Sequence, residues 1–114
     1  MCMAAVLRPN EQATLRALAA HLRAQFPDTL VQLLLYGSRA RGDASPESDI
    51  DVLAVFSRRP GAEEEDSIRG FLYDRDLQNG TVTQLLIVDS DWWDNPLTRT
   101  TLFRREVQEQ GVPL

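Results

Sequence analysis

Asp49 and Asp51 stand one residue apart at the start of an apolar run, with Ile50 between them. Along a strand, side chains two apart share a face. The two carboxylates therefore project together while Ile50 points into a core. Carboxylates held side by side repel unless a cation lies between them or one takes up a proton. Mg²⁺ meets that need. It is a hard ion that prefers oxygen ligands, and one or two carboxylates plus substrate phosphates commonly hold it. Ten residues separate Asp49 from an upstream Gly37-Ser38, which directly follows another apolar run. Glycine there allows a backbone closed to other residues and lets a ligand come close. Successive backbone N–H groups in such a turn form an anion-binding hollow. Ser38 adds a hydroxyl, and a helical turn over residues 39–41 would add its positive end. Arg39 and Arg41 supply forked donors suited to phosphate, with Arg39 nearest the turn. Separately, each feature has a bland reading: exposed aspartates near a turn, or solvated arginines after a strand. Together they describe a site for a nucleoside triphosphate and Mg²⁺.

Two strands must hold these groups. Residues 30–36 form a short apolar run bounded by Pro27-Asp28 and Gly37, and residues 50–56 form a second. Between them, residues 37–48 are polar and broken by Gly37, Gly42 and Pro46. Upstream, Leu15, Leu18, Leu22 and Phe26 recur at helical spacing, giving an amphipathic helix from Pro9-Asn10 to near Pro27. Residues 63–78 predict another helix, whose acidic start suits the positive end of its dipole. Asn79-Gly80 ends it. A third strand follows over 81–88, then a loop over 89–96 with Trp92 and Trp93, and a last helix over 98–109. Adjacent tryptophans in an extended stretch face opposite ways, so one suits the core and the other a cap or a contact surface. This order predicts a mixed α/β (α+β) domain, a small sheet flanked by helices, over residues 1–114.

The chain has 114 residues, one cysteine and a net charge of -5. The negative charge argues against sequence-independent nucleic-acid binding, which draws on many Lys and Arg contacts to phosphate. A single cysteine, Cys2, permits no intrachain disulfide. No signal peptide is read at the start, and no apolar run approaches the ~20 residues that span a bilayer. A cytoplasmic protein without membrane contact is expected. His21 is the only histidine, which leaves little basis for a histidine-based metal site or a Ser-His hydrolase.

The run YGSRARGDASPESDIDVLAVF resembles the signature of the DNA polymerase β-like nucleotidyltransferase superfamily. In so short a chain it is most similar to the minimal nucleotidyltransferase group. The signature covers about a fifth of the sequence, and the element order agrees over most of the remainder. The resemblance implies transfer of AMP from ATP to a hydroxyl. It implies that Gly37 and Ser38 grip the triphosphate and that Asp49 and Asp51 bind Mg²⁺. It also implies a partner, because many members of the group are antitoxins paired with a HEPN-domain RNase toxin. Homo- or hetero-oligomers fit that role.

The superfamily places a third carboxylate on a later strand. Here that strand reads TVTQLLIVD, with Gln84 at the corresponding place. A neutral amide accepts a hydrogen bond but is no general base. Asp76, Asp89, Asp91 and Glu106 are the possible substitutes. A second reading follows from this departure: a binding module of the same fold that neutralises a toxin by contact. A third, transfer to a small molecule of the aminoglycoside type, would need a second wall from dimerisation.

Overall fold

The computed structural model describes residues 7–41 and 49–114, with only the backbone of Arg41. Cys2, the Arg41 side chain and the Gly42–Pro46 stretch lie outside the described residues.

Helix α1 spans Pro9–Gln25, with Pro9 in its first turn. The Glu11 carboxylate accepts the Arg8 N–H at 2.8 Å and so caps the helix start. At the other end Phe26 N–H still reaches Leu22 O at 2.8 Å before Pro27 prevents a further turn. Strand β1 (Leu30–Tyr36) leads into the single turn α2 (Ser38–Arg41). Strand β2 is Ile50–Phe56, helix α3 Ala62–Asn79, and strand β3 Thr83–Asp89. Gly80 ends α3 in the left-handed conformation, at φ +66°.

The sheet order is β3-β2-β1-β4, where β4 is Val112–Pro113. β1 runs antiparallel to β2 and β4, and β2 runs parallel to β3. A parallel pair needs a long crossover, and α3 supplies it. The fold is thus a mixed sheet flanked by helices, as the sequence predicts.

Each face of the sheet has its own cover. Leu33, Leu35, Val52, Ala54, Leu85 and Ile87 pack against Leu18 and Leu22 of α1 and Ile68 and Leu72 of α3. His21 stacks on Phe71 at 3.9 Å between ring centres and joins the two helices. The opposite face carries Leu53, Val55 and Val88 under Trp93, Phe103 and Val107.

Three parts of the second half differ from the sequence reading. The third strand starts at Thr83 because Asp76 engages what precedes it: its carboxylate accepts the Thr81 hydroxyl at 2.6 Å and the Thr83 N–H at 3.1 Å. Residues 89–96 hold two short helices, α4 (Ser90–Trp93) and the start of α5 (Pro96–Arg99), capped by Asp89 and Asn95. The last helix begins afresh as α6 (Leu102–Gln110), where Thr101 accepts the Arg104 N–H at 3.2 Å. Side-chain caps divide one expected helix into two.

The outer edge of β3 is covered. Arg59 and Arg69 donate to the carbonyls of Ile87 and Leu85 at 2.9 and 3.0 Å, and Glu65 holds both guanidinium groups at 3.1 Å. Charged cover of this kind discourages strand addition at an edge. Among the described residues, no helix is long and apolar enough to cross a membrane.

Candidate functional site

The site lies on the face covered by α4 and α6, at the end of the sheet those helices leave open. Tyr36 pairs with Asp51 across β1 and β2, and Asp51 pairs with Gln84 across β2 and β3. These three side chains share one face. Asp49 joins them by the two-residue repeat, just before β2 begins. Ile50 is 1% exposed and faces the opposite core, as its place between two aspartates predicts. The Ile50 N–H donates to Val82 O at 2.9 Å, which extends the pairing back toward Asp49.

Gly37 turns the chain from β1 into α2 at φ +77°. A Cβ at this position would stand 2.5 Å from Asp51 Oδ2. Two separate constraints therefore demand glycine: the backbone angle and the approach of a carboxylate. The same contact places the Asp51 carboxylate directly against the turn. Ala40 N–H donates to Gly37 O at 3.1 Å and closes the first turn of α2.

The charges behave as paired carboxylates should. Burial pushes the Asp51 carboxyl above its ordinary value, and the negative charge of Asp49 pushes it the same way. The Tyr36 hydroxyl is raised too, first by burial and then by Asp51. Gln84 stands beside Asp51 in the β2–β3 register. Its Nε2 donates to Asp49 Oδ2 at 2.7 Å, so a neutral amide stands against the aspartate pair. Among the described residues, no three His, Cys, Asp or Glu side chains gather to form a metal site.

Arg39 turns inward. It is 5% exposed, and its Nη1 lies 2.6 Å from Glu11 Oε1 in a buried ion pair. That pair ties α2, and with it the Gly37 turn, to the first turn of α1. Burial alone would raise the Glu11 carboxyl, but the Arg8 N–H and the Arg39 guanidinium override it and hold it below its usual value. No local pattern marks this pair, because 28 positions separate its members.

The other acidic residues divide clearly. Asp76 is spent on Thr81 and Thr83, on the α3 side of the sheet. Asp89 caps α4 through the Trp92 N–H at 2.8 Å, and Asp91 follows it beyond the far end of β3. Of these four, Glu106 is the one that reaches the site's surroundings. It lines a cleft of about 130 Å³ with Tyr36, Gly37, Phe103, Val107 and Gln110. A second hollow, of about 330 Å³, lies on the other side of Tyr36, lined by Thr83, Gln84, Leu85, Leu86 and Arg69.

A mixed sheet with a glycine turn after one strand and a same-face aspartate pair opening the next defines the nucleotidyltransferase class. Comparison with known proteins agrees. The model of the nucleotidyltransferase domain matches residues 15–108, and the chain belongs to that family. A relative from Methanocaldococcus jannaschii, the candidate protein adenylyltransferase MJ0604, is 26% identical over 102 residues, 90% of this chain and 95% of that protein. A solved structure of a candidate nucleotidyltransferase from Sulfolobus solfataricus aligns with 95% of this chain and 87% of its own. Its TM-score is 0.47 and its identity 24%.

Proposed function

We propose that the chain is a cytoplasmic, Mg²⁺-dependent adenylyltransferase that moves AMP from ATP to a hydroxyl on a protein, a HEPN-domain toxin that it neutralises. The carrying observation is the Asp51 carboxylate pressed against the Gly37 turn, with Asp49 on the same face. Nucleotidyl transfer follows from the family. The protein acceptor is supported by the name of the archaeal relative, and the toxin partner by the resemblance of the motif to the minimal nucleotidyltransferase group.

The donor set suits Mg²⁺. Asp49 and Asp51 would hold it, and phosphate oxygens and water complete such a shell. Burial first, and then the charge of Asp49, hold the Asp51 carboxyl above its ordinary value, and a cation between the two carboxylates would offset both. When bound, the ion neutralises phosphate charge and steadies the leaving pyrophosphate. The Gly37 and Ser38 N–H groups and the Ser38 hydroxyl orient the triphosphate. Arg39 contributes by anchoring the turn through Glu11, and Arg41 supplies charge to the phosphates. The acceptor oxygen bonds to the α-phosphorus, and the bond from that phosphorus to its bridging oxygen breaks. Pyrophosphate leaves with the electron pair. The hydroxyl proton passes to water, because the Gln84 amide has no site for it.

A second reading keeps the fold and the partner but not the reaction. The Gln84 amide on Asp49 favours it. One experiment separates the two. The protein is incubated with ATP labelled at the α-phosphate, Mg²⁺ and the product of its neighbouring gene, beside an Asp49→Asn/Asp51→Asn control. Label on the neighbour that disappears in the control supports transfer. A stable complex without label supports the binding module. Equal labelling by both proteins contradicts the assignment of the aspartates.

A further inference from the structure

A cleft opens beside Gly37, next to the proposed phosphate and metal groups. Its walls come from β1 and α6. Tyr36 and Phe103 meet edge to face at 5.5 Å and form its aromatic side. Val107, 2% exposed, forms its floor. Glu106 and Gln110, one helical turn apart on α6, bring a carboxylate and an amide to its rim. Among the described residues, neither side chain has a hydrogen-bond or ion-pair partner. Their neighbour Gln108 differs, because the Arg104 guanidinium engages it. Polar groups that face a cleft and are not used by the fold are available to a ligand. The cleft also shares Tyr36 and Gly37 with the candidate site, so a triphosphate on the turn would place its nucleoside within reach.

We propose that Glu106 reads the base of the bound nucleoside triphosphate, selecting bases that carry an exocyclic amino group. An ionised carboxylate only accepts hydrogen bonds. It therefore rewards a base whose edge donates, as Glu does with the cytosine amino group. Tyr36 and Phe103 offer the apolar surface against which a ring packs. Gln110 can donate or accept beside it. A ribose hydroxyl is the other donor a nucleotide carries, but an aromatic wall favours a ring. This inference rests on the reading of Gly37, Asp49 and Asp51 as a nucleotide site.

The test measures binding with Mg²⁺ for three ligands: ATP, the triphosphate of purine riboside, which lacks the amino group, and 2′-deoxy-ATP. The protein is compared with Glu106→Ala and with Glu109→Ala. The latter removes the same charge from the same helix at a residue that does not line the cleft. Preference is read as a ratio of affinities, because loss of a carboxylate near phosphates changes absolute affinity as well. The unaltered protein and Glu109→Ala should favour ATP over the amino-free analogue by about tenfold, the worth of one hydrogen bond to a charged group. Glu106→Ala should bind the two within about twofold. Unchanged preference in Glu106→Ala, or equal loss in both variants, overturns the proposal. Discrimination against 2′-deoxy-ATP that vanishes in Glu106→Ala, with no discrimination at the base, also overturns it in favour of ribose contact. Failure of the nucleotide site itself has a different signature: no triphosphate binds to the unaltered protein, and both readings fall.

Discussion

At the scale of single residues, Gly37 has the least freedom to change. Gly37→Ala puts a methyl group into the space of the Asp51 carboxylate and forces a left-handed backbone on an L-residue. Denaturant unfolding should show a loss of about 1–3 kcal/mol, and nucleotide binding should fall with it. The aspartates show the reverse balance. Burial and Asp49 hold the Asp51 carboxyl above its ordinary value. A carboxyl raised in the folded state withdraws stability as pH rises from its unfolded value through its folded one. That penalty grows as pH rises through this range. Asp49→Asn should therefore raise the melting temperature in EDTA by roughly a few degrees while removing Mg²⁺-dependent function. A lower melting temperature would show that the repulsion is relieved in another way. Gln84 marks the remaining choice between catalyst and binder. Gln84→Glu puts a carboxylate beside Asp49, in register with Asp51. A positioned base contributes typically about 10²–10⁴-fold, so a gain on the order of 10² in Mg²⁺-dependent transfer is expected in a labelled-ATP assay. No gain would mean that the place next to Asp51 has no part in the reaction.

At the scale of elements, the question is what holds the turn α2 in place. Four residues make no stable helix by themselves, and the buried Arg39–Glu11 pair ties them to α1. Breaking a buried ion pair by removing one partner costs about 3–5 kcal/mol. Glu11→Gln should lose stability of that order in urea unfolding, and its nucleotide affinity should fall although Glu11 lies outside the site. The pH dependence has a definite sign. Glu11 is held below its unfolded value, so its contribution is present above that value and disappears as pH falls through the folded one. The difference between the unaltered protein and Glu11→Gln should therefore shrink in acid. A difference independent of pH would assign the effect to packing. On the other side of the site, Asn79 donates to Thr14, whose hydroxyl meets that of Thr81 at 2.9 Å. This chain of polar contacts fixes the start of β3 and hence Gln84.

At the scale of the whole molecule, the sequence revealed what rests on local rules. The strands at 30–36 and 50–56 follow from short apolar runs between breakers, and the faces of Asp49, Ile50 and Asp51 follow from a period of two. Gln84 drew notice through the family pattern, and the parallel register of β2 and β3 sets it beside Asp51. What escaped depends on contacts between distant parts of the chain. Charge type suggested that Arg39 faces phosphate, but a carboxylate 28 positions away engages it. β4 has two residues, too few for any period to appear. The division of the last helix depends on caps at Asn95 and Thr101, residues common in loops as well. Of the tryptophans, Trp93 is 4% exposed and Trp92 47%. Trp93 belongs to the core beneath α6, and Trp92 is the surface side chain to vary in a partner-binding assay. The claim that joins these scales is that Gly37, Asp49 and Asp51 form one site for a nucleoside triphosphate with Mg²⁺. Calorimetric titration of ATP tests it most directly, with Mg²⁺ and then with EDTA, on the unaltered protein and on Asp51→Asn. Binding that requires Mg²⁺ and weakens at least about tenfold in Asp51→Asn is the predicted result, the loss of one charged ligand contact. Equal affinity in all four titrations, or no binding in any, would contradict it.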